Sequence, residues 1–213
     1  IRVQATDAGG LRTVRVIPIT INNVNETPTD ISLSSGSVAE NSSTGTTVGT
    51  FSTIDVDSGD TFTYTLVTGT GSTNNASFYI DGSTLKTNEV FDRETKSSYT
   101  IRVRSTDQGG LYREEAFTIT INNVNETPTN IGLSSSSVSE NVATGTTVGT
   151  FTTTDVDSGD TFTYTLVDGV SSENNDSFYI DGSSLKTNEV FNYEIKSTYK
   201  VRVRTTDAGG LWF

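Results

Sequence analysis

The chain has 213 residues with no cysteine, histidine or methionine, and 26 acidic residues against 14 basic ones leave a formal net charge of −12. These counts exclude disulfide scaffolds and thiol chemistry, His-based catalytic triads and the usual zinc sites, and so acidic a surface works against nucleic acid, which needs basic surface. No run of about 18 apolar residues occurs, so no segment reads as membrane-spanning, while 32% hydrophobic and 9% aromatic content fits β-sandwiches with thin cores and Thr-rich outer faces.

The chain repeats itself at an offset of 100 residues. The stretch ENSSTGTTVGTFSTIDVDSGDTFTYTL at 40–66 returns as ENVATGTTVGTFTTTDVDSGDTFTYTL at 140–166, and SFYIDGSTLKTNEVF at 77–91 returns at 177–191 with one change. The segment IRVQATDAGGL at 1–11 returns near-identically at 101–111 and 201–211. Repeat and chain are thus out of phase. Residues 1–27 read as the last strands of a preceding repeat plus a linker, 28–127 as one whole repeat, and 128–213 as a second repeat lacking its last strand. Such near-identity suggests a window on a long array.

In chain order the pattern predicts about seven short strands per repeat, at roughly 31–38, 46–53, 61–67, 77–81, 83–88, 98–106 and 114–122. Phe62, Tyr64 and Leu66 alternate with threonines, Tyr99, Ile101 and Val103 with Thr100, Arg102 and Arg104, and Phe117, Ile119 and Ile121 with polar residues. Clusters such as Asp57-Ser58-Gly59-Asp60 and Gln108-Gly109-Gly110 punctuate these runs as turns. No segment carries a helical stripe. The fold class expected is all-β: tandem seven-stranded Greek-key, immunoglobulin-like sandwiches.

Carboxylates concentrate in the loops. In a Greek-key sandwich Glu40, Asp92 and Glu94 fall at the end that meets the following linker, and Asp55, Asp57 and Asp107 at the end that meets the preceding one. Stacking two repeats would gather Glu40, Asp92, Glu94, Asn125, Glu126, Asp155, Asp157 and Asp207 at one junction. Asn25, Glu26, Asp55, Asp57 and Asp107 would belong to the junction before it, and Glu140 and Glu194 to the one after. Two carboxylates 4–5 Å apart repel by about 3–4 kcal/mol at an effective dielectric near 20, so several such pairs require cations. An oxygen-only, flexible ligand set selects calcium.

These stretches resemble, in order, the calcium motifs of cadherin repeats. Ala39-Glu40-Asn41 is similar to Pro-Glu-Asn, Asp55-Val56-Asp57 to Asp-X-Asp, Asp92-Arg93-Glu94 to Asp-Arg-Glu, Ser105-Thr106-Asp107 to Ala-X-Asp, and Asn123–Thr127 to the Asp-X-Asn-Asp-Asn linker. The Val-Asn-Glu-X-Pro linker after Asp-Ala-Gly-Gly-Leu looks like the bacterial branch. The resemblance implies an extracellular, calcium-stiffened rod, a spacer in a surface adhesin or fibre. Asn125 would bind through its side chain, Val124 and Thr127 through backbone carbonyls, and Glu40, Glu94 and Glu126 would bridge ions. The linker departs from the pattern at Asn23 and Asn123, where Asp is usual, and at Glu26 and Glu126; in the second repeat Asn192 replaces the Asp of Asp-Arg-Glu. These changes lower the ligand charge.

Blander and rival readings stand beside this one. Asp, Asn and Gly make turns in any protein, and Asp55–Asp60 fails as an EF-hand because Gly comes early and Leu66 sits where the bidentate Glu belongs. Paired carboxylates could serve a glycosidase, but acids recurring in every repeat suit architecture, and no enzyme is expected. Tyr112 and Trp212, at one repeat position, could be loop anchors or a platform for a polysaccharide or for a partner repeat. The Asn-X-Ser/Thr triplets at Asn25, Asn41, Asn75, Asn125 and Asn175 read as chance in an Asn/Ser/Thr-rich chain. Residues 14–21 form a strand-like stretch, and a filament built by strand donation between copies is a third possibility.

Overall fold

A computed structural model describes all 213 residues. The chain separates into two compact units. The first comprises Ile1–Val38, Ser42–Val90 and Ser98–Thr120; the second comprises Ala39–Asn41, Phe91–Ser97 and Ile121–Phe213. The loops that carry Glu40, Asp92 and Glu94 therefore belong with the second repeat rather than with the strands that flank them.

The first unit opens with β1 (Arg2–Thr6) and β2 (Arg12–Val16), an antiparallel hairpin exposed at every residue. The repeat that follows comprises β3 (Asp30–Leu33), β4 (Ser37–Ala39), β5 (Thr47–Ile54), β6 (Thr63–Leu66), β7 (Phe78–Asp81), β8 (Thr84–Thr87), β9 (Ser98–Thr106) and β10 (Tyr112–Asn122). They form two four-stranded sheets, ordered β3-β5-β8-β7 and β4-β10-β9-β6. The single first strand expected at 31–38 is thus two strands in different sheets. The switch occurs at Ser34–Gly36, and it is sterically licensed by Gly49, where a Cβ would lie 2.5 Å from the Ser35 carbonyl oxygen. The β5–β8 register shifts at this same point, between Thr47 and Gly49.

The period-two pattern sets which side chains meet. Tyr99, Ile101 and Val103 of β9 are buried while the residues between them are partly exposed. Across the sandwich, Phe51 of β5 stacks on Tyr64 of β6 with centroids 5.3 Å apart and meets Phe117 of β10 at 5.6 Å. The Thr53 hydroxyl, inside this layer, shares hydrogen bonds with Tyr64 Oη at 3.0 Å and Ser105 Oγ at 2.7 Å. Pairing these hydroxyls with each other avoids the cost of burying them unsatisfied.

The second unit repeats the first sheet as β11 (Asn130–Leu133), β12 (Thr147–Thr154), β15 (Ser184–Thr187) and β14 (Phe178–Asp181). Its other sheet holds only β13 (Thr163–Leu166) and β16 (Val203–Thr206). Residues 137–139 and 198–202 are not strands, although their counterparts in the first repeat lie in β4 and β9. Both segments lack the neighbour that β10 supplies there. In its place is an apolar groove of about 500 Å³ lined by Leu133, Val138, Phe178, Phe191, Tyr199 and Val201. Arg104 Nε bonds Glu114 of β10 at 2.9 Å, whereas Arg204 Nε is buried without a partner.

Extending the chain beyond Phe213 with the sequence of residues 114–122 should seat Phe and Ile side chains in this groove and a carboxylate on Arg204. Amide exchange at 198–202 should then slow at least tenfold, toward that of 98–102, because those N–H groups gain or stabilise ladder partners. Unchanged exchange would show that the groove does not take a strand of this pattern.

Candidate cation sites at the repeat ends

Each site begins with a hairpin turn. Asp207 follows β16 directly, before the Gly-Gly turn, and its Oδ1 accepts the Leu211 N–H at 2.8 Å. Oδ2 accepts the Asn125 amide at 3.1 Å, tying the linker to the turn. Gly209 makes room for this contact, since a Cβ there would lie 2.5 Å from the Asn125 amide carbon. The first unit repeats the device: Asp107 accepts Leu111 N–H at 2.9 Å and the Asn25 amide at 3.1 Å, and Gly109 gives way to Asn25.

The Asp-Val-Asp loop comes next. Asp157 is buried and accepts the Glu126 N–H at 2.8 Å and the Asn123 amide at 2.6 Å. Its own N–H donates to Asp155 Oδ1 at 3.1 Å. Asp57 binds Glu26 N–H and Asn23 in the same way, with Asp55 beneath it. Asn at 23 and 123 thus has a physical reason. Its amide donates to a carboxylate that an Asp at that position would repel.

Glu40 is only 2% exposed. One carboxylate oxygen accepts the Val124 N–H and the other the Arg93 N–H, both at 2.8 Å. It staples the linker to the Asp-Arg-Glu loop, where Asp92 accepts the N–H and hydroxyl of Thr95. Glu126 Oε1 accepts the Asn41 amide, and Asn41 takes a positive φ of 57° to present it. Glu126 Oε2 is buried without a partner.

Carboxylate oxygens converge in three places: Glu40, Asp92 and Glu94; Asp155, Asp160 and Asp207; and Asp55, Asp60 and Asp107, each set within 4.8 Å. Within the second unit the residues expected at one junction therefore sort into two carboxylate clusters. Glu126 and Asp157 are electrostatically coupled to the first of them through Glu94, and Asp157 also to Asp160 of the second. Asp60 and Asp160 escaped the sequence reading because Asp-Ser-Gly-Asp is sufficient as a turn. The signal was their recurrence after each Asp-Val-Asp. Glu140 accepts Tyr193 N–H at 3.0 Å, but Glu194 is exposed and Asn192 takes the place of an acid, so no third carboxylate joins them.

Oxygen-only donors under 4.8 Å apart fit calcium, whose ligands sit at about 2.3–2.6 Å and hence no more than about 5 Å from one another. The orphaned oxygens fit it too, because Asp55, Asp60, Asp155 and Asp160 each keep one buried, unpartnered Oδ2. Burial, reinforced by neighbouring carboxylates, raises the carboxyls of Glu126, Glu94, Asp60 and Asp160 above their ordinary values. The backbone N–H groups of Glu26 and Glu126, helped by Asn23 and Asn123, hold Asp57 and Asp157 below theirs. Tyr112 and Trp212 are half-exposed, each with a guanidinium over one face, Arg104 at 4.1 Å and Arg204 at 4.2 Å.

The cadherin-domain family model matches residues 34–122 and 134–211. The chain is 30% identical to protocadherin gamma-A4 of Pan troglodytes over 231 aligned positions, covering 98% of this chain and 24% of that protein. It is 31% identical to the Homo sapiens protein over 186 positions, covering 79% and 18%. It thus spans a quarter or less of these relatives. Among solved structures, extracellular repeats 1–2 of human protocadherin-24 align with a TM-score of 0.68 at 21% identity over 88% of this chain and 89% of that one. The human desmocollin-1 ectodomain aligns with a TM-score of 0.65 at 22% identity over 96% and 43%. These two likenesses speak to the fold alone.

Without metal, the raised carboxyls stabilise the folded state below their unfolded values and lose that contribution as pH rises through the folded ones. Asp57 and Asp157 contribute above the unfolded Asp value and lose it as pH falls through their lowered ones. The melting temperature in chelator should therefore rise as pH drops from neutrality toward the ordinary carboxylate range, then fall below it. A monotonic decline from pH 7 downward would show that the clustered acids do not repel.

Proposed function

We propose, from the premise that this chain belongs to the cadherin family, that its repeats form a spacer whose linkers are stiffened by calcium. Cadherin domains are extracellular adhesion modules, and these repeats are of that kind. The finer role, a segment of a long surface adhesin or fibre, draws on the 100-residue near-identity; the expected bacterial branch gains no support from the relatives, which are primate protocadherins. The repeat boundaries that go with it are 28–127 and 128–213, with 1–27 closing a preceding repeat.

One observation carries the calcium reading. In the second unit Glu40 binds the linker backbone, while burial and the nearby carboxylates of Glu40 and Asp157 raise both Glu94 and Glu126, and Glu126 Oε2 is buried bare. A cation is the partner such a group lacks, and these residues, with Asp92, would hold it. When bound, calcium supplies charge neutralisation and crosslinks linker to loop.

Calcium in 100-fold excess over Kd stabilises the folded state by about 2.7 kcal/mol per site. Titrating the chain should raise the melting temperature and lower the interdomain flexibility read by small-angle scattering. Glu126→Ala with Asp157→Ala should remove most of both effects. If calcium changes neither quantity in the unmutated chain, the acidic loops are turns only and calcium leaves the account.

A second reading, binding of a polysaccharide or homophilic pairing, draws on half-exposed Tyr112 and Trp212. Their arginine-covered faces leave one ring side for stacking. Loss of sugar binding, or of dimers in sedimentation, on Tyr112→Ala with Trp212→Ala would support it. Absence of both in the parent chain would reject it.

A further inference from the structure

We infer that Arg93 is a resident cation of the linker that follows it: through Asn123, its guanidinium ties the Asp-Arg-Glu loop to the next Asp-Val-Asp loop and holds residues 123–126 in place when no metal is bound. The inference concerns the metal-free state, so it stands apart from the calcium reading, and it rests on a side chain that supplies no metal ligand.

The contacts run in series within the second unit. Arg93 Nη1 donates to Asn123 Oδ1 at 2.6 Å, and the Asn123 amide N–H donates in turn to Asp157 Oδ1 at 2.6 Å. Asp157 Oδ2 accepts the Glu126 N–H at 2.8 Å. Asn123 is thus held at both ends of its amide, and a positive charge at one end strengthens the bond made at the other. An aspartate at 123 could accept from Arg93 but could not donate to Asp157. The guanidinium is spent on Asn123 rather than on its neighbour Glu94, whose carboxylate lies 3.5 Å from Nη1. The charge also reaches Asp157, which the Glu126 N–H and the Asn123 amide hold below its ordinary value, with Arg93 adding a smaller share.

The second repeat separates the side chain from the backbone. Glu40 accepts the Arg93 N–H at 2.8 Å and Glu140 the Tyr193 N–H at 3.0 Å, so the loop is anchored alike in both. The side chain is what differs at this position, and Tyr193 is neutral and exposed. The backbone anchor therefore needs no cation here, and the guanidinium answers to the linker instead. A loop carrying Tyr193 offers a linker no positive charge, so the two repeats differ in what they lend to a linker without metal.

Arg93→Met removes the charge and leaves the backbone N–H to Glu40 intact, whereas Arg93→Lys keeps the charge. Amide exchange is followed by NMR on the whole chain in chelator. The Glu126 N–H of Arg93→Met should exchange about fivefold faster than in the parent, a modest gain because the Arg93 side chain is 41% exposed, while β9 and β12 keep parental rates. Arg93→Lys should retain most of the protection. Unchanged Glu126 exchange in Arg93→Met would overturn the inference. So would an equal quickening of β9 and β12, which marks general destabilisation, or a lysine variant as fast as the methionine one. Every arm is run in chelator, so calcium binding by the chain bears on none of them.

Discussion

The constraint on which this structure turns is the confinement of carboxylates at the ends of the repeats. Nothing attractive among the acids brings them together. They are carried there by the hydrogen bonds of the loops: Asp207 closes a hairpin, Asp157 receives the linker backbone, and Glu40 accepts two N–H groups from separate segments. Each oxygen used in this way is satisfied. The oxygens left over point at one another, and the fold bears their repulsion unless a cation is present.

This division of labour within single carboxylates explains how the linker can be ordered and still be responsive to ions. The backbone bonds to Glu40 and Asp157 set the path of residues 122–126 without metal. The bare oxygens of Glu126, Asp155 and Asp160 add no such order by themselves. On the calcium reading, metal would tighten a linker already threaded rather than fold one from a coil.

Much of the fold was legible because its signals are local. Alternation in Thr61–Leu66 and Tyr99–Val103 assigned faces correctly, and Asp/Gly clusters marked the turns. The split of the first strand was not legible, since Ile31, Leu33 and Val38 fit one continuous strand as well as two. What divides them is a close approach between Ser35 and Gly49, residues far apart in sequence. The ends at which acids would gather followed from Greek-key topology, but their sorting did not. Which oxygen of a carboxylate is spent on an N–H, and which is left over, depends on loop geometry at the ångström scale.

Asn123 and Asp160 illustrate the remaining gap and how it closes. Seen one position at a time, Asn123 is a loss of ligand charge and Asp160 is a turn residue. Placed together in the second unit they become complementary. The amide donates to Asp157 and so removes an acid–acid repulsion at the linker, while the new carboxylate lies beside Asp155 and Asp207 within the repeat itself. The acids thus sort by what holds them: Asp155, Asp160 and Asp207 lie within the repeat, whereas Glu40 reaches the linker backbone and Glu126 is carried by the linker itself.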